Sequence, residues 1–243
     1  MPSATIPAGV RVYAVGDIHG RAEPLVRLVA MIRADASAHA MERNVLIFLG
    51  DYVDRGLESR QVVDFLLRDP APGFETFFLK GNHDAWLLDF LDNPETGRIW
   101  FPAGGAATLL SYGVAAPAAP FDPDALAEAR ASFEAALPPA HRSFFETLGL
   151  YCVEGGYAFV HAGIRPRVPL TEQREEDLLA IRDEFLASRR DHGKVVVHGH
   201  SIVDVPDVRP NRVGIDTGAY ATGRLTCLVV EGGSRRFIAS DEA

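Results

Sequence analysis

The chain has 243 residues, of which 47% are hydrophobic and 23% are charged. This length predicts one domain, or one domain with a subdomain, and this composition indicates a globular protein with a sizeable core rather than a disordered chain. The 33 acidic and 24 basic residues give a net charge of −9, which disfavours a broad electrostatic interaction with nucleic acid or an anionic membrane. Any anionic substrate must therefore meet positive charge that is supplied locally.

The cysteines and the hydrophobic segments exclude further classes. Cys152 and Cys227 are far apart and have no CxxC spacing, so they indicate neither a disulfide framework nor a zinc knuckle. The N-terminal segment has no basic region followed by an apolar core, and no run of about 18 apolar residues occurs. We therefore expect a cytoplasmic protein with no membrane partner.

Short β-branched and aromatic runs alternate with amphipathic stretches along the chain, which predicts an α/β architecture. A strand at 10–15 is followed by a helix over about 23–33. A second strand at 45–49 precedes a helix over about 59–68, with Ser59 as its N-cap. Further strands are predicted at 76–79, 157–160, 195–197 and 225–230.

The composition changes in the middle of the chain. Residues 115–140 include eleven alanines, with prolines at intervals. This pattern predicts helices bounded by turns, and we expect a helical cap inserted at 94–150 within a single domain of residues 1–243. Surface helices that only cover the core are the favoured interpretation. A cap that selects substrates is the alternative, because it would lie beside the chemistry described next.

Glycine-containing turns with polar side chains end five of the predicted strands, in the sequences VRVYAVGDIHG, NVLIFLGDYVDRG, ETFFLKGNHD, YAFVHAG and KVVVHGH. In an open α/β sheet, ligands bind beyond the carboxyl ends of the strands, so these turns can converge on one cleft. A single Asp or Asn in such a turn is more often structural, but the shared placement favours a common site. Carboxylates, imidazoles and an amide without a thiolate are typical of sites for divalent Mn, Fe or Zn. The candidate residues are Asp17, His19, Asp51, Asn82, His161 and His200.

The motifs GDIHG, GDYVDRG, GNHD, HAG and GH, in this order, resemble those of the phosphoprotein phosphatase family of metallophosphoesterases. The similarity extends from about residue 12 to about residue 230. Its bacterial branch, which includes phage lambda phosphatase and the symmetrical diadenosine tetraphosphate hydrolases, is the most similar. The resemblance implies a calcineurin-like β-sandwich of mixed sheets flanked by helices, with a dinuclear metal centre at the strand ends. The sandwich itself is not indicated by periodicity.

The resemblance also implies a role for each matched residue. Six residues match the metal ligands of the family: Asp17 and His19 for one ion, Asp51 as the bridging carboxylate, and Asn82, His161 and His200 for the other. The expected cofactors are two divalent ions, with Mn²⁺ preferred and Fe or Zn as alternatives.

The substrate-binding and catalytic residues are assigned in the same way. His83 matches the catalytic histidine, and Asp54 matches the aspartate that orients it. Arg55 matches a phosphate-binding arginine, and Arg182 in AIRDEF matches a second one. Tyr220 in DTGAY matches an aromatic residue near the substrate.

These residues predict a phosphomonoester hydrolase. Two divalent ions about 3.5 Å apart lower the pKa of a bridging water and stabilise an in-line displacement. A metal-bound hydroxide would attack phosphorus directly, and His83 would protonate the leaving oxygen. We expect a protein serine/threonine phosphatase that also accepts phosphotyrosine, with a phosphorylated protein, peptide or small molecule as its substrate. The alternatives are a symmetrical bis(5'-nucleosyl)-tetraphosphatase and, from another class, a binding module with a vestigial metal site; the acidic charge disfavours a nuclease.

Overall fold

The computed structural model describes residues 4–117, 119 and 121–241, so residues 1–3, residues 118 and 120 of the alanine-rich segment, and residues 242–243 lie outside it. The described residues contain ten strands in two mixed five-stranded sheets. Helices pack on the outer faces of the sheets, which confirms the predicted α/β sandwich.

The first sheet has the strand order β10-β9-β1-β2-β3. Strands β1, β2 and β3 are parallel, β9 is antiparallel to β1, and β10 is antiparallel to β9. The carboxyl ends of β1, β2 and β3 therefore lie at the same edge. The five strands are β1 (Val10–Val15), β2 (Arg43–Phe48), β3 (Glu75–Phe78), β9 (Thr226–Glu231) and β10 (Ser234–Ala239).

The second sheet has the strand order β4-β5-β6-β8-β7. Strands β5, β6 and β8 are parallel, whereas β4 and β7 are antiparallel to their neighbours. This sheet therefore also presents three carboxyl ends at one edge. Its strands are β4 (Tyr151–Glu154), β5 (Tyr157–Val160), β6 (Val195–His198), β7 (Asp207–Val208) and β8 (Arg212–Gly214).

The side-chain alternation of β1 shows how the layers form. Val12 and Ala14 pack between the two sheets, while Tyr13 and Val15 pack against the helices on the other face. All four side chains are buried, as expected for a central strand covered on both faces. The outer face of the second sheet has its own smaller cluster, which includes Phe185.

The helices vary in length, and the longer ones cover the first sheet. In α1, Leu25, Leu28, Val29 and Ile32 form the buried face. The helices are α1 (Ala22–Ala38), α2 (Ser59–Leu66), α3 (Asn82–Asp92), α4 (Gly97–Trp100), α5 (Ala106–Ser111), α6 (Pro123–Ala136), α7 (Pro139–Glu146), α8 (Glu175–Ala180), α9 (Asp183–Leu186) and α10 (Ala219–Thr222).

Every predicted strand is present, with ends shifted by up to two residues, and α1 is longer than expected. Strands β4, β7, β8 and β10 were not predicted. The prediction that Ser59 is an N-cap is wrong: Ser59 is the first residue of α2, and its side chain contacts Thr108 instead. Cys152 and Cys227 are free, as expected.

The region predicted as a helical cap contains α4 to α7. A five-residue segment, Phe101–Gly105, joins α4 to α5 and is kinked at Gly104, whose φ is 125°. Trp100, Phe133 and Phe145 from this region are buried in the same cluster as the helix-facing side of the first sheet. The assignment of 94–150 as a cap stays a prediction. Among the described residues, no helix is both long enough and apolar enough to cross a membrane.

Candidate active site

The turns after β1, β2, β3, β5 and β6 meet, and Asp51 lies at the centre of the group. Asp51 Oδ2 is 3.4 Å from His19 Nε2 and 3.5 Å from His161 Nε2. His161 Nε2 is in turn 3.1 Å from the amide oxygen of Asn82. Asp51 therefore has candidate ligands on both sides, which is the position required of a bridging carboxylate.

Asp17 and His200 complete the group. Asp17 Oδ2 is 4.0 Å from His19 Nε2, and the backbone N–H of His200 donates to the Asp17 carboxylate at 3.0 Å. Two sets of donor atoms could each hold a cation, since the atoms within each set lie within 4.8 Å of one another. The first set is His19, Asp51 and His83, and the second set is Asp51, His161 and His200.

Two of the histidines, His19 and His161, have the tautomer that metal ligation through Nε2 requires. The Nδ1–H groups of His19 and His161 donate to the carbonyls of Val53 and Leu49, both at 2.9 Å, so each Nε2 is left with a lone pair. His200 Nε2 is buried without a hydrogen-bond partner among the described residues. Burial, the main cause, lowers the pKa of all three imidazoles, that of His200 to about 3. They are therefore neutral at pH 7 and fit divalent cations.

The carboxylates support the same interpretation. Burial raises the pKa of Asp51 to about 6. Burial, followed by the charges of Asp216 and Asp51, also raises the pKa of Asp17. Cations between these groups would stabilise their ionised forms, so the donor set fits the two divalent ions that the sequence predicts.

His83 and Asp54 form a buried hydrogen-bonded pair next to these ligands. The distance from His83 Nδ1 to Asp54 Oδ2 is 2.6 Å. Burial lowers the pKa of His83, but the negative charges of Asp51 and Asp54 outweigh this effect, and the net shift is upward. The site therefore favours the protonated form of this imidazole more than water does.

Arg55 lies across the site. Its Nη1 donates to His19 Nε2 at 2.9 Å, and its Nη2 lies 3.2 Å from His83 Nε2. The Arg55 Cζ atom is 4.7 Å from the centre of the Tyr220 ring, a cation–π contact, and that ring lies 5.8 Å from the His19 ring. Arg182 is exposed, and after burial its charge is the second cause of the lowered pKa of His200. The structure thus brings every predicted site residue to one region.

Left-handed backbone is concentrated in this site. Seven non-glycine residues have positive φ among those described, and five of them are predicted site residues. This conformation is costly for residues with a Cβ, and such strain is typical of functional sites. The five are His19, Asp51, Asp54, Arg55 and His200.

Several residues that were not predicted also shape the site. The buried Asp84 accepts hydrogen bonds from the backbone N–H groups of Gly81, Asp51 and Tyr52. The Trp86 ring lies 4.8 Å from the His83 ring in an edge contact. Three more residues belong to this group. Trp100 and Thr108 contact Asp54, and the charge of Asp216 raises the pKa of Asp17.

These missed residues had different signals in the sequence. Asp84 is part of GNHD, and its position at the start of a helix is typical of a capping residue. Asp216 follows a three-residue strand in VGIDTG, which resembles the other strand-end turns. Trp100 and Thr108 lie in no motif and follow no strand, so no local signal identified them.

A family model described as calcineurin-like phosphoesterase matches residues 10–227. The chain therefore belongs to the calcineurin-like phosphoesterase family. It is a metallophosphoesterase, an enzyme class that hydrolyses phosphoesters with divalent metal ions.

Two curated proteins with different substrates are similar to this chain. The asymmetrical bis(5'-nucleosyl)-tetraphosphatase PrpE of Anoxybacillus flavithermus is 25% identical, with 88% of each chain covered. Serine/threonine-protein phosphatase 2 of Salmonella typhimurium is 24% identical, with 88% of this chain and 90% of the relative covered. A crystal structure provisionally described as a diadenosine tetraphosphatase has 22% identity and a TM-score of 0.65, covering 98% of this chain and 96% of its own. That structure supports the fold.

Proposed function

We propose that this protein is a metal-dependent phosphomonoesterase whose substrates are phosphoserine and phosphothreonine in proteins or peptides, with phosphotyrosine also accepted. The observation that carries the proposal is the Asp54–His83 pair, joined by Arg55 to the group of candidate metal ligands. A proton donor, a phosphate-binding cation and a metal site are thus adjacent, and all three are needed to hydrolyse an ester with a poor leaving group.

Each residue has a distinct task in this reaction. Two divalent ions, which we propose to be Mn²⁺, would supply Lewis acidity and lower the pKa of the attacking water. The proposed ligands Asp17 and His19 would hold one ion, and Asn82, His161 and His200 the other, with Asp51 shared between them.

The other side chains act on the phosphate and on the leaving group. Arg55 and Arg182 can each offer a planar guanidinium to phosphoryl oxygens, and they supply the local positive charge that an acidic chain needs. Tyr220 keeps the Arg55 guanidinium over the site. His83 donates its Nε2 proton to the leaving oxygen while Asp54 holds Nδ1.

A dinucleoside tetraphosphatase is the second candidate function. A relative with that activity in its name is as similar as the protein phosphatase, and the same metal ligands serve both reactions. The sequence resemblance favoured the symmetrical reaction, whereas the relative is named asymmetrical. The products distinguish these reactions, because symmetrical cleavage of diadenosine tetraphosphate yields two ADP and asymmetrical cleavage yields ATP and AMP.

The test is a substrate comparison on chelated protein before and after Mn²⁺ addition. Phosphoserine, phosphothreonine and phosphotyrosine peptides are assayed for released phosphate beside diadenosine tetraphosphate, with nucleotide products separated by chromatography. We expect Mn²⁺ to restore peptide dephosphorylation. Turnover confined to the dinucleotide would replace the proposal with the second candidate. No turnover in any metal condition, with fewer than two ions bound, would favour a vestigial site.

A further inference from the structure

The Asp54 carboxylate has two hydrogen-bond donors besides His83. The indole Nε1–H of Trp100 donates to Oδ2 at 2.7 Å, and the hydroxyl of Thr108 donates to Oδ1 at 2.7 Å. Both residues come from the helical segment 97–111, well away in sequence from the strand-end motifs. The carboxylate that orients the proposed acid is therefore itself oriented by a segment that the sequence predicted only as part of a cap.

The same segment also holds the backbone beside that carboxylate. The N–H of Asp54 donates to Thr108 Oγ1 at 2.9 Å and to Ser59 Oγ at 3.2 Å. The N–H of Arg55 donates to the carbonyl of Gly104 at 3.2 Å. Asp54 and Arg55 have φ values of 74° and 65°, so these bonds hold two consecutive residues in left-handed conformations. We call Trp100, Gly104 and Thr108 the Asp54 clamp.

The two side chains of the clamp are buried and closely packed. Trp100 and Thr108 are both fully buried. A Cβ at Gly105 would collide with the indole of Trp100, so the backbone at Gly105 packs directly against the ring. Aromatic rings surround the rest of the indole, with centroids 5.1 Å, 5.5 Å and 5.9 Å away in Phe90, Phe101 and Phe133.

The hydrogen bonds of the clamp are mutually consistent. The Thr108 hydroxyl gives its one hydrogen to Asp54 Oδ1, so in its 3.1 Å contact with Ser59 it must accept. Each Asp54 oxygen then has a fixed donor that is independent of His83. Without these donors the carboxylate could rotate, and the His83 ring that it holds would rotate with it.

We propose that Trp100 and Thr108 are positioning residues for general acid catalysis: they fix Asp54 so that His83 Nε2 is directed at the leaving oxygen. This inference rests on the proposed function and deepens it. It also assigns the segment 97–111 a part in the chemistry beyond covering the core.

The reaction shows where the clamp should matter. Water loses one proton to solvent and its oxygen forms a bond to phosphorus, while the bond from phosphorus to the leaving oxygen breaks. The leaving oxygen takes the His83 proton, and solvent then protonates His83 again. A leaving group that is stable as an anion departs without that proton, whereas a basic one does not. Loss of the clamp should therefore slow only esters with poor leaving groups, while a general loss of structure would slow every ester.

The experiment compares phenyl phosphate, a poor leaving-group ester, with 2,4-dinitrophenyl phosphate in Trp100→Phe and Thr108→Val. Trp100→Phe removes one donor to the Asp54 carboxylate. Thr108→Val removes the other donor and also one acceptor of the Asp54 N–H, which keeps Ser59 Oγ as its partner. We expect kcat for phenyl phosphate to fall roughly 10-fold in each, by analogy with losses seen when supporting hydrogen bonds of site residues are removed. For the dinitrophenyl ester we expect a change of less than about 2-fold, with KM and bound metal unchanged. Thr108→Ser keeps the hydroxyl and should restore kcat for phenyl phosphate.

Two neighbours provide matched controls. Leu109→Val and Phe133→Leu alter buried packing next to Thr108 and Trp100 without touching Asp54, and they should affect both esters equally. Equal losses on both esters in the clamp variants, or no loss on either, would overturn the inference while leaving the proposed function intact. A wild-type chain that binds two ions and hydrolyses neither ester would overturn both.

Discussion

Asp84 should be the most sensitive structural residue of the site. Its Oδ2 accepts the N–H groups of Gly81 and Asp51, both at 2.8 Å, and its Oδ1 accepts that of Tyr52 at 3.0 Å. The side chain is fully buried, so water cannot replace a lost partner. It ties the turn that carries Asp51 to the start of α3, and hence joins the two halves of the metal site.

The expected loss of stability in Asp84→Asn follows from these three hydrogen bonds. The amide oxygen can keep the two bonds made by Oδ2, but the amide nitrogen then faces the N–H of Tyr52, which is left without an acceptor. Burial and the charge of Asp51 raise the pKa of Asp84, so the cost is worked from the lost bond alone: a buried N–H left without an acceptor costs about 1–3 kcal/mol. We expect a loss of about 1–3 kcal/mol in the free energy of unfolding, and a larger loss in Asp84→Ala, which removes all three bonds.

Urea unfolding of chelated protein measures this loss, and metal titration measures the consequence for the site. Metal affinity should fall by roughly 10-fold or more, because the support of the first ligand shell is disturbed. The matched control is Asp89→Asn on the exposed side of the same helix, which should change stability by less than about 0.5 kcal/mol. A loss of stability in Asp84→Asn as small as that in Asp89→Asn would show that the three hydrogen bonds of Asp84 do not support the site.

Three further variants test separate parts of the molecule. His83→Asn should retain both metal ions but lose roughly 10²-fold or more in kcat on a phosphopeptide; near-normal turnover would reject His83 as the acid. Tyr220→Ala removes the ring beneath Arg55 and should raise KM about 3-fold, with an unchanged KM as the contrary result. Asp177 is bound by Arg165 at 2.6 Å and 2.8 Å, a bond that lowers the Asp177 pKa. Asp177→Asn should therefore cost stability at neutral pH, by about 0.5–1 kcal/mol in urea unfolding, and the difference should shrink as the pH falls from about 5 to about 3. A difference that does not change with pH would contradict this.

The sequence was most informative about polar side chains that directly follow a predicted strand. His19, Asp51 and His161 could be predicted because a buried strand fixes where its last residue lies, and parallel neighbours place those ends together. Asp54 and His83 were assigned because they belong to the same short motifs as the ligands. In each case the distance in sequence from a recognisable strand to the functional side chain is small.

The missed features depend on contacts between distant residues. Trp100 and Thr108 lie 46 and 54 positions from Asp54, and the segment that carries them is kinked at Gly104. A sequence such as FPAGG predicts a turn but not the side chain against which it packs. Strands β7 and β8 are only two and three residues long, too short for alternation to be visible, and Asp216 was missed with them.

The backbone of the site explains why such distant support is needed. Five predicted site residues have left-handed backbone, each at a cost of about 1–2 kcal/mol, and the total is comparable with the whole stability of an ordinary domain. The turns themselves offset part of this cost, since His19 N–H donates to the Asp51 carbonyl at 2.8 Å and Gly56 N–H to the His19 carbonyl at 3.1 Å. At Asp54 and Arg55 the supporting partners come from Thr108 and Gly104. The geometry of the candidate site is therefore a property of the motifs together with the helical segment that packs on them.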